Sequence, residues 1–194
     1  MNAISRFFLQ GKHWQIFIPV IGVYLAGNII GIFPMPFPSR PGSIIAKESL
    51  AFGLLIGLSS LGLYFWFWTM GSFFTSILKP ELRPRLSLFQ VALIYLPLYI
   101  AFFITTFPDF TPGIIGLILL LHLIAMFFAV YTIYFVSKSL VMAEAKEAVS
   151  FSDYAGECFL LCFFPVGIWI IQPRVNQLFA NRNIGERSSA PANS

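Results

Sequence analysis

The chain has 194 residues, 58% of them hydrophobic and only 10% charged, with a formal net charge of +4. A soluble globular chain is about a quarter charged, and so few polar groups cannot cover a water-facing surface; the mean hydropathy of +0.82 points to lipid as the main solvent. The basic residues are scattered through short loops beside apolar runs and form no basic stripe, which argues against a nucleic-acid partner.

The start, "MNAISRFFLQGK", is short and basic and leads into an apolar run over 14–33. That run is about 20 residues, longer than a secretory signal core, and no small-x-small cleavage site follows. It reads as an uncleaved first transmembrane helix. "PMPFPSRPG", Pro34 to Gly42, holds four prolines, each fixing φ and removing a donor, and reads as a stiff outer loop.

A second span is expected over 50–70, inside an apolar stretch reaching Leu78. The stretch is too long for a hydrocarbon core of about 30 Å, so the helix should tilt, or bend near Gly71. A basic loop carrying Lys79, Arg83 and Arg85 follows. A third span covers 88–107 and contains Pro97, which helices in lipid tolerate when neighbours satisfy the freed carbonyl. A fourth covers 114–136, and "MAEAKEAV", rich in good helix formers, reads as the same helix emerging into water. A faint repeat relates "FPSRPG" before span two to "FPDFTPG" before span four.

The tail "FFPVGIWIIQPRVNQL", Phe163 to Leu178, is apolar but broken by Pro165, Gly167 and Pro173. Continuous apolar character covers 158–171, short for a span and in the range of re-entrant or interfacial segments. Loop charges separate the two readings. With four spans, Arg6, Lys12, Lys79, Arg83, Arg85, Lys138, Lys146, Arg174, Arg182 and Arg187 share one side and Arg40 and Lys47 the other. A fifth crossing would move three arginines over, and the positive-inside rule prefers the first arrangement. A re-entrant or interfacial segment is therefore expected over 152–180, within one membrane domain over 1–185, with a disordered tail over 186–194 and both ends cytoplasmic. Its helix should start at Ser150 or Ser152, with Asp153 completing a capping box from Ser150. It should enter the membrane face at Cys158, bend at "FPVG" and leave at "QPR". Arg174 would meet headgroup phosphate. Glu157 would pair with Arg174 across the bend, and Trp169, Gln172 and Asn176 join these two as candidate headgroup or partner contacts. Trp14, Trp66 and Trp68 fall at inner ends, as an aromatic belt would.

His122 is the sole ionisable side chain deep in an expected span, a candidate site by that fact, although one interhelical hydrogen bond would satisfy a neutral imidazole. Asn28, Ser59 and Ser60 could join it in a polar cluster. Bis-histidine haem is excluded by depth, since His13 lies roughly 22 Å of helix rise away. Cys158 and Cys162 share a helix face too far apart for a good disulfide and lack further metal ligands. "GNIIG" and "GLLIG" are GxxxG patterns suited to packing spans one and two together. HExxH, GxSxG, P-loop and dinucleotide motifs are missing, so neither catalytic residues, metal nor cofactor are expected.

The stretch "VSFSDYAGECFLLCFFPVGIWIIQPRVNQL", Val149 to Leu178, resembles the C-terminal signature of small polytopic inner-membrane proteins of Bacteroidota, which end in Phe-Phe-Pro-x-Gly-x-Trp and Gln-Pro-Arg-x-Asn strings. The resemblance implies a bacterial cytoplasmic membrane and brings no assigned activity. The expectation is an all-α integral membrane protein with four transmembrane helices plus a C-terminal re-entrant or interfacial helix. Its leading function is as a non-enzymatic subunit or accessory protein, contacting membrane lipids and a membrane-protein partner or a second copy. The alternative is a small-molecule or lipid transporter or binder around His122.

Overall fold

The computed structural model describes residues 3–22, 45–106 and 112–188, with the helical path alone at 45–59, 104–106, 112 and 185–188. Among the described residues the chain is all-helical, with no strand. Helix α1 (Ala3–Gln10) is followed by α2 (His13–Phe17), which continues as a π turn, Ile18–Gly22. The turn widens where Pro19 cannot donate an i→i−4 bond. Then come α3 (Ile45–Ile77), a 3₁₀ turn (Pro80–Leu82), α4 (Leu86–Thr106), α5 (Pro112–Ala145), α6 (Phe151–Cys162) and α7 (Phe164–Ser188).

Two stretches, Leu86–Phe103 and Gly113–Ala145, are long and apolar enough to cross a membrane, and only 17% and 11% of them is buried. A core helix of a water-soluble fold would be mostly covered, whereas these present Leu98, Leu119, Leu123 and Val130 more than half exposed.

The core sits at one end. It gathers Trp66 to Phe74 of α3 and Leu78 just beyond it, Phe89 and Leu93 of α4 and Phe135 to Ala143 of α5, with Phe8, Leu9 and Ile16 on one flank and Ile168, Ile171, Val175 and Phe179 on another. Phe89 stacks on Phe135 with ring centroids 4.2 Å apart. A Cβ on Gly71 would lie 2.5 Å from the Phe89 ring. Glycine there lets α3 and α4 close on a buried ring. Gly71 is thus a packing position, and of the two alternatives, a tilted helix or a break near Gly71, the helix shows no break: α3 runs to Ile77, beyond the 50–70 read from hydropathy. Pro97 stays inside a continuous α4, and α5 does emerge as one helix through "MAEA". It ends at Lys146, whose φ of 60° makes a left-handed cap while its N–H bonds Met142 O.

The tail is two helices. The break falls at Phe163, one residue before "FPVG", because Pro165 would clash with the carbonyl four residues back. Pro165 instead occupies the first turn of α7, where no N–H is needed. At "QPR" the expected exit bend is missing, and α7 carries Pro173 in its interior. The helix also continues through Glu186 to Ser188, where a disordered tail was expected. Of span 14–33 only the part to Gly22 falls within the described residues. The packing of the GxxxG glycines and the proline-rich loop lie outside them.

Candidate functional site

The tail, the basic loop and His122, the three features singled out by the sequence, each have a definite environment. The α6–α7 hairpin closes tightly: a Cβ on Gly167 would sit 2.0 Å from Leu160 O. Beyond it α7 runs alongside α3 in the same direction. Gln172 lies beside Trp66, Phe179 packs on Phe73 with centroids 5.6 Å apart, and Arg182 donates to Ser76 Oγ at 2.9 Å.

Gln172 is fully buried. Its Oε1 accepts from Trp66 Nε1 at 2.8 Å, and its Nε2 donates to Phe8 O at 2.7 Å and to Asn176 Oδ1 at 2.9 Å. Asn176 Nδ2 donates to Gly11 O at 3.1 Å. These carbonyls close α1, so one amide pair satisfies a helix end that local capping leaves open. Trp169 lies against His13 at 4.1 Å between centroids, and against Phe17 at 6.0 Å.

Arg174 forms the expected pair with Glu157, Nη1 to Oε1 at 2.8 Å, and also grips Glu144 through Nε at 2.8 Å and Nη2. The hydrogen bonds to Glu144, then those to Glu157, raise the guanidinium pKa above its ordinary value against the opposing effect of burial. The candidate contacts Glu157, Gln172, Arg174 and Asn176 are therefore engaged inside the chain. Arg174 meets carboxylates where headgroup phosphate was expected, and Trp66 is sealed in the core where a belt position was expected. Glu144 is the partner that sequence reasoning missed; thirty residues from Arg174, it leaves no local spacing to find.

At the start of α6, Asp153 Oδ2 accepts from Ser150 N–H and Ser150 Oγ, each at 2.7 Å. This is the expected capping box. These bonds, the hydroxyl's first, lower the Asp153 pKa. Cys158 and Cys162 are free thiols.

In the basic loop Lys79, Arg83 and Arg85 are exposed. Arg83 Nε donates to Leu78 O at 2.9 Å, placing a cation at the negative end of α3.

His122 is exposed on α5, and Tyr99 Oη of α4 lies 2.8 Å from its Nδ1. One turn along, Tyr95 Oη donates to Leu121 O at 2.9 Å. Tyr95 and Tyr99, four apart on one helix face, were the missed signal for this seam. Of the proposed cluster, Asn28 and the Ser59 side chain lie outside the described residues, and Ser60 is half-buried on α3. Beside the His122–Tyr99 pair is an open depression of about 200 Å³ lined by Tyr99, Phe103, Ile115, Ile118, Leu119 and His122. Among the described residues no group of three or more His, Cys, Asp or Glu could hold a metal.

Set against known proteins, the chain matches no family model, no curated protein and no solved structure.

Proposed function

We propose that this is a four-span integral protein of a bacterial cytoplasmic membrane, both ends cytoplasmic, serving as a non-enzymatic subunit or accessory protein of a membrane assembly. The observation that carries the reading is the contrast between its two halves. One end is packed and internally hydrogen-bonded. In the other, α5 leaves Ile115, Leu117, Leu119, Leu120, Leu123 and Phe127 more than half exposed. A helix so bare needs lipid or another protein around it.

The charge distribution supports the topology. Glu144, Arg174 and Glu157 belong at a membrane face, and Phe163 lies about eleven residues before Arg174 along the helix. At 1.5 Å per residue that is about 16 Å, roughly half of a 30 Å core. Around the turn Phe159, Phe163, Val166 and Ile170 are exposed and apolar, as a hairpin that dips into one leaflet and returns requires.

Because the polar tail residues are engaged internally, the partner surface is assigned to the bare face of α5. A photocrosslinking residue at Leu120 or Phe127, used in native membranes, should give a discrete adduct with one membrane protein or a second copy. One at exposed Ala180 should not. Lipid adducts alone at both positions would overturn the accessory reading. Separately, a reporter fused at Ser194 that is active outside the cytoplasm would overturn the topology.

A further inference from the structure

We infer that α1 is an interfacial helix whose outer face binds the anionic headgroup surface of the inner leaflet. The inference deepens the membrane reading above and rests on the packed end of the chain lying at the cytoplasmic face.

At about 100° per residue, the side chains of α1 fall into three sectors. Phe8 and Leu9 are buried in the core, with half-buried Ser5 between them in projection. Ile4 and Phe7, three apart, point a second way and are each roughly half exposed. Arg6 and Gln10, four apart, point a third way and are exposed. The sectors lie roughly 120° from one another. A helix packed on a protein in water needs two faces, one buried and one polar. A third, apolar and uncovered, is what a helix lying along a membrane boundary presents, with protein, lipid and water each meeting one sector.

The level of α1 agrees. Gln172 Nε2 donates to Phe8 O at 2.7 Å, and Asn176 Nδ2 donates to Gly11 O at 3.1 Å. Both donors lie two residues from Arg174, about 3 Å of helix rise. Arg174 holds Glu144 and Glu157, a group of charges that belongs at a membrane face. The end of α1 is tied to that depth. Just beyond it Trp14 and Ile18, four apart, are again roughly half exposed, and an indole is favoured among headgroups.

Charge selects the lipid. Residues 3–22 carry Arg6 and Lys12, both exposed, and neither aspartate nor glutamate. Among the described residues neither of the two forms an ion pair. Two unpaired cations beside bare apolar side chains match a surface of phosphates with net negative charge. A zwitterionic headgroup brings its own cation and gains less from them.

The test uses the full chain in nanodiscs of mixed phosphatidylcholine and phosphatidylglycerol, with a small fluorescent amino acid incorporated at Ile4, Phe7 or Gln10. All three positions are exposed, so the probes leave the core intact. Positions 4 and 7 should be quenched by a lipid with a nitroxide on its acyl chain and shielded from acrylamide in the water. Position 10 should do the reverse. At position 7, nitroxide-bearing phosphatidylglycerol should quench more than phosphatidylcholine of the same chain. Arg6→Gln and Lys12→Gln should each cut that preference by up to roughly fivefold. Acrylamide access at all three positions would overturn the interfacial helix. Shielding of positions 4 and 7 from both quenchers would mean that a second copy covers them, and would overturn it too. Equal quenching by the two lipids, unmoved by either substitution, would mean apolar contact only and would overturn the anionic site. Crossing by α4 and α5 is read separately, from resistance to alkaline extraction, so failure of the membrane reading is distinguishable from failure at α1.

Discussion

The indole N–H of Trp66 donates to the side-chain oxygen of Gln172 at 2.8 Å, across 106 residues of chain and with both groups sealed from solvent. The bond fixes α7 against α3, while the amide end of Gln172 holds the carboxyl end of α1. Three segments distant in sequence are thereby brought to one register by a single side chain. Its polar contacts cannot all be replaced by any residue lacking both donor and acceptor.

Gln172→Leu should therefore destabilise the packed end well beyond its change in volume. It leaves Trp66 Nε1 and the Phe8 carbonyl without partners in the core, each costing about 1–3 kcal/mol. A double-mutant cycle with Trp66→Phe in thermal unfolding should return a coupling of about 0.5–3 kcal/mol. Additive effects would show that the bond contributes nothing specific.

Arg174 bridges two carboxylates, so its loss and the loss of one partner differ. Side-chain exposure is 29% for the arginine and 15% for Glu157, which discounts a fully buried pair to roughly 2 kcal/mol for Arg174→Ala. That variant leaves two like charges facing each other, whereas Glu144→Gln leaves the Glu157 bond intact and should cost less. Arg174→Glu should loosen the hairpin to limited proteolysis, and adding Glu157→Arg should restore part of the resistance. No restoration would count against the cross-bend pair.

The capping box makes the α6 start pH-sensitive. Asp153 has a lowered pKa in the fold because Ser150 donates to its carboxylate. A depressed acid contributes stability above its unfolded pKa, near about 3.9, and that contribution disappears as pH falls through the lower folded value. The difference in Tm between the native chain and Asp153→Ala should be full at about pH 6 and shrink below about pH 4. A gap that stayed constant across that range would contradict the linkage.

Three glycines separate close approach from helix propensity. Gly167→Ala places a methyl group on the backbone oxygen of Leu160 and must open the hairpin. Gly71→Ala meets the fully buried Phe89 ring and should cost about 1–3 kcal/mol through overpacking. A methyl group on Gly156 would meet nothing within 4 Å, so Gly156→Ala should stabilise α6 by up to about 1 kcal/mol. Thermal unfolding in detergent ranks the three, and a destabilised Gly156→Ala would break the order.

The α-helical class, the long apolar runs of α4 and α5, the single helix through "MAEA" and the Ser150–Asp153 cap were legible in the sequence. Each depends on hydropathy or on residues three or four apart, and local periodicity records both. The Glu157–Arg174 pair was within reach because a short hairpin separates its members. The tail's bend was legible to within one residue. Only tertiary structure decided that Gly71 is a packing position, that the helix continues through Pro173 with no second bend, and that Gln172, Asn176 and Arg174 face inward on Trp66, Gly11 and Glu144. Nothing in a single sequence distinguishes a polar side chain aimed at lipid headgroups from one satisfying a helix end more than 160 residues away. The hydrogen-bond chemistry is the same, and the partner is chosen by packing. His122 shows the same division: its residue type came from the sequence, while its bond to Tyr99 came from how α4 lies against α5.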